Sequence, residues 1–286
     1  MLKAQTDVFM GCDSPFEAAG TVLFGAPFDS TTSNRPGARF GPNAIRRESY
    51  GLELYSPYQD RDLSDLAVLD TGDLELPMGS SLQAIAAIHD RAAEILSAGK
   101  RPFLLGGEHL VTLGAFQAAY ERYPEICIIH FDAHTDLREE YLGVSLSHAC
   151  VIRRCWDLVG DGRIFQFGIR SGDRTEWQWG RDHVSTHPFT LDGLENTLEN
   201  IGDKPIYFTV DLDVLDPSVF PGTGTPEPGG VSFEELRRAV TTVCGSGRVA
   251  ACDVNELSPH YDPSGASSAA AAKIVREMLL ALPAGR

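Results

Sequence analysis

The feature that most constrains the fold is the regular alternation of short apolar runs with amphipathic segments. Several of these runs are apolar on both faces, as expected of strands that are covered on both sides. The runs are Val22 to Phe24, Pro102 to Leu105, Ile126 to Phe131, Ile164 to Phe167, Ile206 to Val210 and Val249 to Cys252. Alternating strands and helices predict an α/β fold with a mostly parallel sheet.

Helical patterns lie between the strands. One stripe follows Ser80 and Ser81 and comprises Leu82, Ile85, Ile88, Ala92 and Ile95. Ser232 to Glu235 forms a capping box, which predicts a helix start, and a last helix is expected over residues 267–282. We see no repeat and no low-complexity linker, so residues 1–286 are predicted to form a single domain.

Charge and cysteine usage exclude several classes of partner. The formal net charge is -16, which would repel the phosphates of a nucleic acid. The six cysteines form no CxxC pair or regular spacing, as in a protein with reduced thiols. Residues 1–7 lack the apolar region of a signal peptide, and no run approaches the roughly 18 apolar residues of a membrane span. A cytoplasmic protein with no membrane partner is expected.

Four of the predicted strands end in charged or imidazole side chains. Ligands of parallel α/β sheets bind beyond the carboxyl ends of the strands, so these groups are expected to converge on one rim. The four strand ends are Gly106-Gly107-Glu108-His109, Asp132-Ala133-His134-Thr135-Asp136, Asp211-Leu212-Asp213 and Asp253-Val254-Asn255-Glu256.

Spacing within these motifs indicates a metal site. An extended chain places residues i, i+2 and i+4 on one side. Two imidazoles and four carboxylates would then meet in what we call the His/Asp cluster: His109, Asp132, His134, Asp136, Asp211 and Asp213. Four carboxylates cannot remain ionised in a cleft without cations, and two divalent ions would balance them. Oxygen-rich ligands with some imidazole favour Mn²⁺ over a thiolate-type zinc site.

A paired metal site can convert a bridging water into hydroxide at neutral pH. Such a nucleophile suits the hydrolysis of phosphates, amides or guanidines. The metal site alone does not choose among these reactions.

At these motifs the sequence resembles the ureohydrolase (arginase/agmatinase) family. The resemblance extends over about residues 20–280 and includes Asp211 to Pro217, Pro221 to Glu227 and the Pro36 to Pro42 loop. It implies a three-layer α/β/α fold and two Mn²⁺ ions per subunit. One ion would be held by His109, Asp132, Asp136 and Asp211, and the other by His134, Asp132, Asp211 and Asp213. Asp132 and Asp211 would bridge the ions, and the subunits would form a homotrimer or homohexamer.

The resemblance also implies three catalytic residues. Glu256 would pair with the guanidinium of a small cationic substrate, which a planar carboxylate can bind in bidentate fashion. His148 would move protons and help the amine to leave, a task suited to imidazole. Asp136 would orient the hydroxide. His130 is expected to lie in the core or to support the site, and His260 is a further candidate for its lining.

The loop after the Asp-x-His-x-Asp motif favours one branch of the family. Arginases hold the amino acid end of their substrate with an Asn and a Ser there, but this chain has Leu137-Arg138 in place of the Asn. The loop resembles that of bacterial agmatinases, which implies cleavage of agmatine to putrescine and urea. Glu139 and Glu140 are candidates to accept the substrate's amine.

Other readings remain open from the sequence. A guanidinobutyrase or guanidinopropionase is the second candidate, and arginase is less favoured. Formiminoglutamase would need a distal carboxylate site, for which Arg35, Arg39 and Arg138 are available. Outside the class, a deacetylase-like amidohydrolase normally uses one zinc, and a non-catalytic relative usually loses metal ligands, whereas all six are present here.

Overall fold

The computed structural model describes residues 7–283, and its centre is an eight-stranded sheet whose neighbouring strands all run parallel. The N-terminal segment for which no signal peptide is expected lies almost wholly outside these residues. The sheet has the order β4-β1-β5-β10-β9-β6-β7-β8. Its strands are β1 Thr21–Ala26, β4 Val68–Asp73, β5 Arg101–Gly106, β6 Cys127–Phe131, β7 Ile164–Ile169, β8 Ser185–Pro188, β9 Ile206–Asp211 and β10 Val249–Asn255. A small antiparallel pair consists of β2 Tyr55–Ser56 and β3 Arg61–Asp62.

Helices cover both faces of the sheet. Adjacent residues of β1 belong to different hydrophobic clusters, Leu23 to one and Val22 and Phe24 to the other, so each face has its own core. One cluster includes residues of α1, α6, α7 and α8, and the other includes residues of α2, α3 and α4. The helices are α1 Gly41–Ser49, α2 Ser81–Ser97, α3 Thr112–Arg122, α4 Val151–Val159, α5 Arg174–His183, α6 Leu194–Ile201, α7 Phe233–Gly245 and α8 Ala266–Ala281. The expected three-layer α/β/α fold is confirmed.

Local sequence explains where the helices begin. Ser80 caps α2 by accepting a hydrogen bond from the Gln83 amide, and Ser232 with Glu235 forms the predicted capping box of α7. The α2 stripe is buried as expected except at Leu82, which is 69% exposed. Leu82 lies in the first turn of α2.

All six predicted apolar runs are strands, whereas β4 and β8 are absent from the sequence prediction. They are the two edge strands of the sheet and have the polar sequences Val-Leu-Asp-Thr-Gly-Asp and Ser-Thr-His-Pro. Edge strands are covered less completely, so their sequences need not be apolar.

The sheet order places the four strands that end in charged or imidazole side chains next to one another. Strands β5, β10, β9 and β6 are consecutive neighbours at the centre of the sheet. All run in the same direction, so their carboxyl ends meet at one rim, as predicted. Within residues 7–283 no helix is both long and apolar enough to cross a bilayer. All six cysteines lie in this part of the chain, where they are buried and unpaired.

Candidate functional site

His109, three residues beyond the end of β5, faces three carboxylates. Its Nδ1 atom lies 3.0 Å from Asp132 Oδ2, 3.1 Å from Asp136 Oδ2 and 3.4 Å from Asp211 Oδ2. The directions of these contacts do not suit hydrogen bonds, so among the described residues this buried nitrogen has no hydrogen-bond partner. A buried polar atom without a partner calls for an explanation, and a bound cation is one.

The second half of the cluster forms around His134. Its Nδ1 atom lies 3.0 Å from Asp213 Oδ2 and 3.4 Å from Asp132 Oδ1. Asp132 therefore turns one carboxylate oxygen to His109 and the other to His134. The geometry brings all six residues of the His/Asp cluster together, with Asp132 between its two halves.

The residues converge by a different route from the extended chain assumed in the sequence analysis. Asp136 has a φ of 51°, and Asp213 lies in a 3₁₀ turn over Leu212–Val214. The Asp213 amide donates to Asp211 Oδ1 at 2.9 Å, and the Ala133 amide donates to Asp213 Oδ1 at 3.1 Å. Backbone turns and amide donors, rather than strand alternation, aim these carboxylates at the cluster.

The electrostatics of the cluster are unbalanced without cations. Burial and the charge of Asp132 raise the pKa of Asp136 to about 7. Burial and the carboxylates of Asp213 and Asp132 raise the pKa of Asp211 well above its usual value. Burial lowers the pKa of His109, but the carboxylates of Asp132, Asp136 and Asp211 beside it outweigh this effect and raise it overall. Without cations, these neighbouring carboxylates would have to bind protons to reduce their mutual repulsion. Divalent cations would remove that repulsion, so the set of donor atoms fits them.

Glu256 is a buried carboxylate directly after β10, at the same rim. It has a φ of 66°, and its Oε1 atom accepts a hydrogen bond of 2.7 Å from the His109 amide. Burial and the charge of Glu108 raise the pKa of Glu256 well above its usual value. A non-glycine residue at positive φ carries backbone strain, which is a frequent property of functional sites.

His148 lies on the opposite side of the cavity, before α4. Its Nδ1 atom lies 3.4 Å from Thr31 Oγ1, and its Nε2 atom lies 3.4 Å from Ser33 Oγ. Glu108 holds Thr31 in turn, since it accepts from the Thr31 hydroxyl at 2.6 Å and from its amide at 2.8 Å. Burial and the charge of His134 lower the pKa of His148 to about 4, so its imidazole is neutral at pH 7.

A cavity of about 350 Å³ opens over the cluster. His109, His134, Asp136, His148, Asp211 and Glu256 all line it, as the sequence predicts for one shared site. Sequence reasoning missed other lining residues, among them Ser33, Thr135, Tyr141, Asp173 and Glu176. Asp173 follows the end of β7, so the same strand-end criterion that identified the other four motifs could have found it.

The outer wall of the cavity differs from the sequence expectation. Glu139 and Glu140 are exposed and do not line the cavity. His260 also lies outside the lining and packs edge-on against Phe40, with 4.7 Å between ring centroids. His130 supports the site as expected, because it is fully buried and its Nε2 atom lies 2.8 Å from Asp132 Oδ2.

Arginine side chains near the cavity have acidic or aromatic neighbours. Arg138 Nε lies 3.2 Å from Glu176 Oε2, and its guanidinium lies over the Tyr141 ring at 4.5 Å. Arg39 pairs with Asp29, and the Arg35 guanidinium lies 5.5 Å from the centroid of the Tyr261 ring.

Comparisons with known proteins agree with this geometry. A sequence model described as the arginase family matches residues 19–281. The agmatinase of Bacillus subtilis (strain 168) is 44% identical over 277 residues, covering 96% of this chain and 95% of that protein. The mitochondrial guanidino acid hydrolase of Homo sapiens is 35% identical and covers 93% of this chain and 79% of that one. The crystal structure of a putative agmatinase from Clostridium difficile superposes with a TM-score of 0.91 at 49% identity, covering 94% of this chain and 98% of that one.

Proposed function

The chain belongs to the arginase family and is a ureohydrolase acting on a guanidino compound, and we propose that it hydrolyses agmatine to putrescine and urea with two Mn²⁺ ions. The observation that carries this proposal is the convergence of six ligand-type side chains, four of which line one cavity, with Asp132 turned to both imidazoles. The similarity to the Bacillus subtilis agmatinase over almost the whole chain supports the choice of agmatine.

The residues present suit two divalent ions. We assign His109, Asp132, Asp136 and Asp211 to one ion and His134, Asp132, Asp211 and Asp213 to the other. The partnerless, buried Nδ1 atom of His109 supports the first assignment, because three carboxylate oxygens surround it within 3.4 Å. Oxygen donors with two imidazoles are a ligand set typical of Mn²⁺.

When bound, the two ions would lower the pKa of a water molecule so that it can act as a nucleophile near neutral pH. The overall change adds water to the guanidinium carbon, breaks its bond to the alkyl nitrogen, and releases putrescine and urea. The chain's own residues bind the cation, orient it and move protons.

Glu256 would hold the guanidinium. Its Oε1 atom is already fixed by the His109 amide, which points the rest of the carboxylate into the cavity. A buried carboxylate pairs strongly with a planar guanidinium, and substrate binding would relieve the unfavourable burial of its charge. Asp136 would orient the nucleophile from the other side of the cavity.

His148 would transfer a proton to the departing amine. Its neutral imidazole can accept a proton, and Thr31 and Ser33 lie within 3.4 Å of its two nitrogens. The Thr31 hydroxyl donates to Glu108 and so accepts from His148 Nδ1, whereas the Ser33 hydroxyl can donate to Nε2 or accept from it, so the pair can hold the ring in both protonation states.

Charges at the outer wall favour an amine at the far end of the substrate. Arg138, Asp173 and Glu176 together carry one net negative charge, and the Arg138 guanidinium already faces both carboxylates, at 3.7 Å and 3.2 Å. Side-chain hydrogen bonding from Thr175 lowers the pKa of Asp173, which keeps it ionised. A guanidino acid would bring its carboxylate against this net negative wall, whereas the ammonium of agmatine would be attracted.

A guanidino acid is the second candidate substrate. The observation that favours it is the 35% identity to the human guanidino acid hydrolase, together with the presence of Arg138 in the cavity wall. Guanidinobutyrate and guanidinopropionate therefore belong in the same assay.

The test is urea release by the Mn²⁺-loaded protein from agmatine, guanidinobutyrate, guanidinopropionate and arginine in parallel. We expect agmatine to give the highest kcat/KM. Higher activity on guanidinobutyrate would keep the reaction and replace the substrate, while no urea from any of them at full metal occupancy would contradict the proposal. The expected homotrimer or homohexamer remains a prediction that light scattering can test.

A further inference from the structure

A row of polar side chains crosses the sheet directly beneath the His/Asp cluster. Successive strands pair in register as Asp253 with Thr209, Thr209 with His130, His130 with Gln166, and Gln166 with Thr186. Residues paired in this way lie on the same face of a sheet. We call Asp253, Thr209, His130, Gln166 and Thr186 the polar row. Its first four members are fully buried, so their hydrogen bonds must compensate for lost water.

The hydrogen bonds at the Gln166 end determine which His130 nitrogen carries the proton. Gln166 Nε2 lies 2.7 Å from the Thr135 carbonyl oxygen, which can only accept, so this atom is the amide nitrogen and donates. It also lies 3.0 Å from His130 Nδ1, which must then accept. The proton of the neutral ring is on Nε2, which donates to Asp132 Oδ2 at 2.8 Å. His130 therefore supports Asp132 and is not itself available as a ligand.

Toward the opposite end of the row, Thr209 contacts His109. Asp253 can only accept while ionised, and it receives the Tyr207 hydroxyl at 2.5 Å and the Asn255 amide at 2.7 Å. Thr209 is its neighbour in register, and Thr209 Oγ1 lies 3.4 Å from Thr112 Oγ1 and 3.5 Å from Asn255 Nδ2. A ring nitrogen that ligates a cation carries no proton, so in the metal-bound protein the His109 proton lies on Nε2, which donates to Thr209 Oγ1, 2.9 Å away.

These bonds leave the lone pair of His109 Nδ1 directed at the three carboxylates. We propose that the polar row is a positioning device for the metal ligands, in which Thr209 orients His109, and His130, held by Gln166, orients Asp132. The proposal rests on the proposed function only in requiring that the His/Asp cluster binds divalent cations. Partners that orient ligating residues typically change metal affinity by about 10- to 100-fold.

The test is calorimetric titration of metal-free protein with Mn²⁺, comparing wild type with Thr209→Val and Thr209→Ser. Valine has almost the same shape as threonine but cannot accept from His109, whereas serine keeps the hydroxyl. We expect Thr209→Val to bind one of the two ions about 10- to 100-fold more weakly, and Thr209→Ser to stay within about threefold of wild type.

Melting temperatures of the metal-free variants separate positioning from simple stability. We expect Thr209→Val and Thr209→Ser to melt at similar temperatures, although only the first loses affinity. The proposal would be overturned if Thr209→Val bound Mn²⁺ as tightly as the wild type. It would also be overturned if both variants lost affinity equally and their melting temperatures fell equally. Failure of the wild type to bind Mn²⁺ would instead contradict the proposed function, and the proposal would fall with it.

Discussion

Replacing Glu256 by glutamine separates guanidinium binding from folding and metal binding. The Oε1 atom of Glu256 accepts from the His109 amide at 2.7 Å, and the carbonyl oxygen of a glutamine can keep that bond. The glutamine NH₂ group then takes the place of the second carboxylate oxygen. A donor would face the substrate cation where an acceptor had been.

The size of the effect follows from the loss of a buried charge partner. Removing one member of a buried ion pair costs about 3–5 kcal/mol. At about 1.4 kcal/mol per tenfold change in rate, kcat/KM should fall roughly 150- to 5,000-fold. Stability should not fall, because burial and the charge of Glu108 raise the pKa of Glu256 and make its ionised form unfavourable in the metal-free protein. The metal-free variant should melt at the wild-type temperature or above.

The assay is steady-state urea release from agmatine with Mn²⁺ content measured in the same preparation. Glu139→Gln is a matched control, since Glu139 is exposed and lies outside the cavity lining. It should retain wild-type kinetics. A Glu256→Gln variant with full metal content and a kcat/KM within tenfold of wild type would refute the role of Glu256 in holding the cation.

Three further predictions concern metal binding, packing and acid stability. Asp132→Asn should reduce the affinity for both ions by at least about 100-fold, measured as metal content after dialysis, because Asp132 faces both halves of the cluster. Gly114→Ala should destabilise the protein by about 1–3 kcal/mol in a thermal melt, because the Cβ of the alanine would lie 2.5 Å from the Ile85 carbonyl oxygen. Gly245→Ala is the control: it has open space around the added Cβ and should be neutral or stabilising. Asp262→Ala should cost about 1–2 kcal/mol at pH 7, since this carboxylate accepts from Ser267 at the start of α8. Burial raises the pKa of Asp262, but hydrogen bonds from Ser264 and Ser267 outweigh it and lower this pKa to about 2. The stabilisation by the Asp262 carboxylate is therefore complete above about pH 4 and is lost as the pH falls through 2. Denaturant unfolding between pH 7 and pH 2 should show the unfolding free energies of the wild type and the variant converging.

The strand ends were predictable because burial and chemistry leave separate traces in the sequence. Apolar runs such as Ile206 to Val210 marked strands covered on both faces, and the charged residues after them marked the rim. The order of the strands was not readable, because it depends on which helices cross which face. Only the structure shows that β5, β10, β9 and β6 are consecutive.

Two cavity residues were missed in the sequence because each of them serves two purposes. Asp173 and Glu176 form the capping box of α5, and both also line the cavity. A capping box accounts for such a pair, so only the position of Asp173 after β7 points to a second role. Spacing placed Asp136 in the His/Asp cluster, where the structure also has it, but its φ of 51° shows that the extended chain assumed there does not exist.

The division between strands and loops bears on how substrate choice can change in this fold. The central strands have neighbouring strands on both sides that fix the backbone; Asp132, Asp211 and Glu256 directly follow or end three of them, and His109 lies three residues beyond the fourth. The residues facing the outer cavity, including Ser33, Arg138, Tyr141 and Asp173, come from segments outside the strands. A substitution in these segments changes the charge near the far end of the substrate without moving the strands that hold the His/Asp cluster. Variants selected for a guanidino acid should therefore alter Arg138 or Asp173 and leave Mn²⁺ affinity unchanged, whereas a change of metal affinity in such variants would show that the outer wall and the cluster are coupled.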